Sequence, residues 1–247
     1  MNFSAISNKN LVGRLLRFPL NFIPREARLP ILQGRLKGKR WIAGSGNHGC
    51  WLGSYEYSKR RAFERMVNEG AVVFDIGAHV GFYTLLGAVL VGPRGKVFAF
   101  EPLPRNVHYL KEHLRLNAIK NVSVIEAAVS DSDGLAFFAE GQNNSTGQLA
   151  PAGLLRVKTV SLDEITSAGP TPPPDFLKID VEGGEMLVLR GARCVLGSHH
   201  PTIFLATHGD VRHRECCKFL RSLGYELRSI GSKVLEETDE LLAYRKR

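Results

Sequence analysis

The stretch VVFDIGAHVGFYT, Val72 to Thr84, constrains the fold more than any other part of the chain. An apolar run of strand length ends in Asp75, a Gly77-x-x-x-Gly81 turn follows, and an apolar helical stretch starts immediately after it. Strand, tight turn and helix in this order form the opening of a βαβ unit. The chain repeats the pattern downstream.

Gly95 to Glu101 is a second strand, and Pro104 opens a helix whose Val107, Leu110 and Leu114, with Leu103, face inward. Asn121 to Val129 gives a third strand. Upstream, Tyr57 to Gly70 reads as a helix with Ala62, Phe63, Met66 and Val67 on one face. Gly134–Glu140 and Leu154–Leu162 read as strands around a polar loop, GQNNSTGQLAPAG, and Ser167–Asp175 as a stiff proline connector. FLKIDV resumes the sheet at Phe176. One helix over Gly184–Leu196, the strand TIFLAT, a helix ending at Gly224 and two strands at hairpin distance complete the chain. Strands alternating with helices, closed by an antiparallel pair, predict a doubly wound, Rossmann-like α/β sheet. Residues 51–247 are expected to form that one domain and residues 1–50 a basic arm.

In such sheets ligands bind beyond the carboxyl ends of the strands. The glycine spacing is not the G-x-G-x-x-G of a dinucleotide site, and Asp75 at the turn would repel a phosphate. It favours a ligand carrying an ammonium group. S-adenosylmethionine is such a ligand, with its carboxylate suited to the helix N-terminus near Gly81 and its ribose to Glu101 at the end of the next strand.

The segments Val72–Ala88, Gly95–Asn117, Asn121–Asp131, Val157–Ile165, Phe176–Ala192 and the final LGY together resemble the FkbM family of S-adenosylmethionine-dependent methyltransferases. The resemblance runs over about residues 52–230 and implies a class I methyltransferase fold that O-methylates hydroxyls of sugars, glycolipids or natural products. Cofactor contacts are expected from Asp75, Gly77, Ala78, His79, Gly81, Thr84, Glu101 and Ala128. The chain departs from the family pattern at His79, where Asn is common, and at ATHG (Ala206–Gly209), where an acid is usual.

Methyl transfer to an alcohol needs alignment of the acceptor oxygen and a base for its proton. Asp180, Lys178 and His208 are the candidates, being at the carboxyl ends of FLKID and TIFLA. A buried Lys178 needs a partner, for which Asp180 or Glu182 is at hand. Asp180, Glu182 and Glu185 could hold a divalent ion, but acids near a helix start are favoured by its dipole anyway, and no metal is expected. Asn143 to Gly147 suggests a lid or acceptor loop.

The formal charge of +9 is concentrated at one end. Residues 1–50 hold nine basic residues and one acid, leaving +1 for everything after them. The arm is expected to meet an anionic partner, such as a membrane surface, a charged glycan or RNA, with a small molecule, glycan or glycolipid as the acceptor and nucleic acid disfavoured. The rival readings are an RNA ribose 2'-O-methyltransferase and a non-catalytic S-adenosylmethionine-binding module. Four cysteines without a CxxC pair indicate neither zinc nor disulfides, which suits a cytoplasmic protein. Arg14, Arg17 and Pro19 interrupt the apolar start, so no signal peptide is expected, and the uncharged run Ile76–Pro93 opens as a loop and leaves too few residues for a transmembrane segment.

Overall fold

The computed structural model describes residues 18–140, 147–150, 155–169, 171–231 and 234–246. Its core is a seven-stranded sheet in the order β12-β13-β11-β10-β3-β4-β5. These strands are β3 (Val72–Ile76), β4 (Lys96–Phe100), β5 (Val122–Ile125), β10 (Phe176–Ile179), β11 (Thr202–Ala206), β12 (Glu226–Ser229) and β13 (Glu240–Tyr244). All pairings from β5 to β11 are parallel; β13 alone runs against the rest, inserted between β11 and β12.

Strand order reverses between β3 and β10. The chain leaves β3 toward β4 and β5 on one side and builds β10 and β11 on the other, so the carboxyl ends of β3 and β10 flank the topological switch point. Both central strands are buried along nearly their whole length, as a sheet covered on two faces requires.

Helices follow from the apolar spacing read in the sequence. Phe63 and Leu110 are fully buried on the helices Tyr57–Met66 and Pro104–Leu116, the latter opened by Pro104 at its first position. Gly81 caps the helix Phe82–Val91 with φ 89°. One expected helix is two, Glu185–Arg190 and Arg193–Ser198, and the joint between them has to be glycine, since at Gly191 a Cβ would lie 2.0 Å from Ser130 O.

Two stretches differ from the sequence expectation. Asn121–Val129 breaks into β5 and β6 (Ala128–Val129), and β6 leaves the main sheet to pair with β9 (Leu155–Val160). A second sheet of order β6-β9-β7-β8 results, with β7 at Gly134–Glu140. Its β8, Gly147–Ala150, pairs with β7 where only a polar loop was expected. Asn143–Thr146, the expected lid, lies outside the described residues.

Residues 28–52 fold back onto the domain. Strands β1 (Arg28–Pro30) and β2 (Arg40–Ile42) form a hairpin whose Trp41, with Ile31 and Leu36 beside it, is buried in the same cluster as Phe82 and Leu85. Trp41 stacks on His113 with ring centroids 3.7 Å apart. His113 is fully buried; its Nε2 accepts from Ile42 N–H (3.1 Å) and its Nδ1 faces Val80 O (2.8 Å), a pattern that only the neutral ring with Nδ1–H can satisfy. The hairpin is thereby tied to the glycine turn through one imidazole.

Candidate active site

A cavity of ≈ 600 Å³ opens at the switch point. Its floor is the turn after β3, with Gly77, Ala78, His79 and Val80; one wall is Glu101 to Leu103, with Asn106, after β4; the opposite wall is Lys178 and Asp180 to Glu182 after β10. Ala128 and Phe138 from the second sheet and Ser45 to Asn47 from the folded-back segment complete the rim.

The turn has to be glycine at Gly77. Its φ is 73°, and an added Cβ would sit 1.9 Å from Asp180 O, inside the neighbouring strand's backbone. His79 follows with φ 51°, a left-handed conformation that His and Asn tolerate better than most residues. That tolerance gives a physical account of the His79 departure from the usual Asn, because the turn uses the backbone: His79 N–H donates to Glu101 Oε2 at 2.8 Å.

Glu101 is 4% exposed and firmly aimed. Oε1 also accepts from Leu103 N–H (3.0 Å) and Asn106 Nδ2 (3.1 Å), which leaves part of the carboxylate's acceptor capacity for a ligand. Burial raises its pKa, and these hydrogen bonds oppose the rise. Across the turn, the helix Phe82–Val91 begins at the cavity with no side-chain cap, so its N-terminal N–H groups and dipole are available to an anionic group. An acceptor pair for ribose hydroxyls on one side and a helix N-terminus for a carboxylate on the other fit S-adenosylmethionine.

Asp75 and Thr84 do not line this cavity. Both are fully buried behind it, Thr84 Oγ1 donating to Asp75 Oδ2 at 2.6 Å. The partner of Lys178 is Asp75 and not the expected Asp180 or Glu182. The two residues are register neighbours on β10 and β3, with Nζ 3.1 Å from Oδ1, and Lys178 also donates to Gly77 O at 2.9 Å. Lys178 therefore fastens the glycine turn from below. Gly81, the helix cap, stands off the cavity lining as well.

Asp180 is instead clamped by Lys59, a residue sequence reasoning missed. Lys59 Nζ donates to Asp180 Oδ2 at 2.9 Å and lies 3.4 Å from Glu240 and 3.6 Å from Glu56. The signal was a lysine on the same helical face as Phe63, four residues on, where a charge is buried only with partners. Burial would raise the Asp180 pKa, but Lys178 and Lys59 more than offset it and hold the carboxyl down at about 2. Burial lowers the Lys59 pKa, and Asp180, Glu56 and Glu240 outweigh that to raise it.

His208, after β11, reaches the same wall. Its Nδ1 lies 2.6 Å from Glu185 Oε1, and its Nε2 3.2 Å from Glu182 Oε2 and 3.9 Å from Asp180 Oδ1. The Glu185 hydrogen bond raises the His208 pKa against the cost of burial. Asp180 does not cap the following helix. Glu185 Oε1 takes the Gly183 N–H instead. Of the three residues expected to be catalytic, Asp180 and Lys178 line the cavity, Lys178 turned to Asp75 and Gly77, while His208 stands beside Asp180 and Glu182 without lining it.

Residues 75–227 match the family model for the methyltransferase FkbM domain, more than half of the chain. The chain belongs to the FkbM methyltransferase family. Membership makes the described sheet an S-adenosylmethionine-dependent methyltransferase domain. Among curated relatives, hexuronic acid methyltransferase AglP of Haloferax volcanii is 30% identical over 154 residues, which are 62% of this chain and 62% of that protein. Among solved structures, an FkbM methyltransferase from Methylobacillus flagellatus superposes with a TM-score of 0.53 at 16% identity, over 81% of this chain and 55% of that one. An S-adenosylmethionine-dependent O-methyltransferase from Thermotoga maritima gives 0.50 at 15% identity, over 77% of this chain and 65% of that one. At these identities the structural likeness speaks for the FkbM fold alone. The chain spans less than two thirds of the length of these relatives.

Among the described residues no helix is long and apolar enough to cross a membrane.

Proposed function

We propose that this FkbM chain transfers the methyl group of S-adenosylmethionine to a hydroxyl oxygen of a sugar or glycolipid-like acceptor. The observation that carries the reading is the meeting, on one cavity wall, of Asp180 and Glu182 with His208 beside them, opposite the Glu101 side of the turn. S-adenosylmethionine, when bound, supplies a methyl carbon already activated by its sulfonium. The chain's own residues then have two tasks. Asp180, ionised and fixed by Lys59, accepts the hydrogen bond of the incoming hydroxyl and orients its oxygen for in-line attack. His208, beside Asp180, stands where its imidazole can receive the proton released. Glu101, Gly77, Ala78, His79 and Ala128 form the cofactor side, while Asp75, Thr84 and Gly81 support it from behind through Lys178 and the helix start.

The hexuronic acid named for the Haloferax relative supports a sugar acceptor. Residues 18–40 support a location at an anionic membrane surface: Phe18 and Phe22 are 60% and 72% exposed with rings 5.2 Å apart, and Arg25, Arg28, Arg35, Lys37 and Arg40 of the same stretch of chain are exposed. That arrangement fits a cytoplasmic enzyme at the bilayer face.

Incubation with methyl-labelled S-adenosylmethionine and a panel of uronic acid glycosides, neutral glycosides, glycolipids and RNA tests the proposal. Label is expected in a glycoside or glycolipid as an alkali-stable methyl ether. Label in an alkali-labile ester, in RNA alone or in no acceptor would contradict it.

A further inference from the structure

The geometry points to a divalent cation site formed by Asp180 Oδ1, Glu182 Oε2 and His208 Nε2 at the acceptor wall of the cavity. This inference rests on the methyltransferase reading above and assigns His208 a ligand role in it.

The three atoms lie within 4.8 Å of one another. Nε2 is 3.2 Å from Glu182 Oε2 and 3.9 Å from Asp180 Oδ1. An ion about 2.1 Å from each ligand separates adjacent ligand atoms by about 3 Å and opposed ones by about 4 Å in an octahedron, so these separations suit one shared ion. Each ligand atom is also presented for it. Lys59 occupies Oδ2 of Asp180 and leaves Oδ1 toward His208. Glu182 and Asp180 line the cavity, so an ion there would keep open positions for acceptor oxygens.

A second observation comes from behind the ring. Glu185 is fully buried, its Oε1 holds His208 Nδ1 at 2.6 Å, and its Oε2 is buried with no hydrogen-bond partner. A buried carboxylate on the far nitrogen is the support that metal-ligating histidines use to fix their tautomer and ring orientation. It delivers the Nε2 lone pair to the other side. The charge count agrees: Lys59 is already shared by Glu56, Asp180 and Glu240, and among the described residues the ion pairs of Glu182 and Glu185 run to His208 alone. With Asp180 already paired to Lys59, Glu182 and Glu185 share a single imidazole, and a cation in front of it would add positive charge beside Glu182. In the sequence Glu185 is a candidate third ligand and no metal is expected; the fold places Glu185 behind the ring and puts His208 in front.

One nitrogen and two carboxylate ligands suit a first-row divalent ion such as Mn²⁺ or Fe²⁺ better than Ca²⁺, whose sites are built from oxygen alone. Bound there, the ion would take an acceptor hydroxyl as a further ligand and lower its pKa, the released proton passing to solvent.

Mn²⁺ titrated into the full chain without S-adenosylmethionine, followed by loss of the free-ion electron paramagnetic resonance signal, tests the site. One tight Mn²⁺ per chain is expected, with an imidazole nitrogen coupling in the spin-echo spectrum. Glu182→Gln and His208→Gln should each weaken Mn²⁺ at least tenfold, and His208→Gln should erase the nitrogen coupling, while S-adenosylmethionine affinity and melting temperature stay within twofold and a few degrees. Absence of Mn²⁺ binding up to millimolar concentration would overturn the site, as would binding without nitrogen coupling in the wild type or binding untouched by both substitutions. The wild-type spectrum decides even if a variant fails to fold. The methyltransferase reading itself fails separately, by loss of S-adenosylmethionine binding in the unsubstituted chain.

Discussion

Asp75 and Lys178 are register partners on adjacent parallel strands, Nζ 3.1 Å from Oδ1, and both are almost completely buried. Asp75 lies behind the cavity at the switch point, and Lys178 reaches it from the cavity wall. Breaking a buried pair from one side leaves an uncompensated charge and costs about 3–5 kcal/mol. Lys178→Met is expected to lose that much stability in urea unfolding, and Asp75→Asn with Lys178→Met to recover most of it. A single variant as stable as wild type would show that the pair does not hold the turn.

Gly77 has no room for a side chain. Gly77→Ala would place a Cβ 1.9 Å from Asp180 O, and the displacement of Asp180 is expected to lower the rate of methyl transfer about 100-fold. Gly38→Ala is the control, with a similar φ of 86° but nothing within 4 Å. It carries only the left-handed strain of about 1–2 kcal/mol, and its rate should be unchanged.

His113 gives the fold a pH dependence. Burial holds its pKa down at about 4, against about 6.5 for an ordinary histidine. A folded pKa below the unfolded one means that its contribution is complete above about pH 6.5 and is lost as pH falls toward 4. The loss should reach about 3 kcal/mol, seen as the difference between wild type and His113→Gln across that range in chemical denaturation. Parallel pH profiles for the two proteins would contradict the neutral, doubly hydrogen-bonded ring.

The exposed Phe18 and Phe22, in a stretch of chain with exposed arginines, make a testable surface. Sedimentation with vesicles containing phosphatidylserine is expected to weaken at least fivefold for Phe22→Glu and to fall with added salt, since a charge replaces an apolar contact and screening removes the electrostatic part. Equal binding to neutral vesicles would argue against an anionic partner.

Much of the fold was legible because local signals and tertiary environment agreed. The apolar run before Asp75, the Gly77 and Gly81 spacing and Pro104 each dictate a backbone state, and the parallel core followed from their alternation. Failures fell where partners are distant in sequence. Lys178 faces Asp75, 103 positions away by subtraction of the two residue numbers, through a register that no local pattern encodes. The Lys59 clamp on Asp180 joins a helix before the sheet to a strand end, and β8 exists only by pairing with β7. Placing His208 in front of Glu185 depended on the same long-range packing.

The central claim is that Glu101 grips the ribose of S-adenosylmethionine in this cavity. Calorimetric titration of S-adenosylmethionine into the wild type and Glu101→Gln tests it directly. One saturable site in the wild type, weakened about 10- to 100-fold by the loss of charge-assisted hydrogen bonds, is the expected result. No heat in the wild type, or equal affinity in the two proteins, would contradict it.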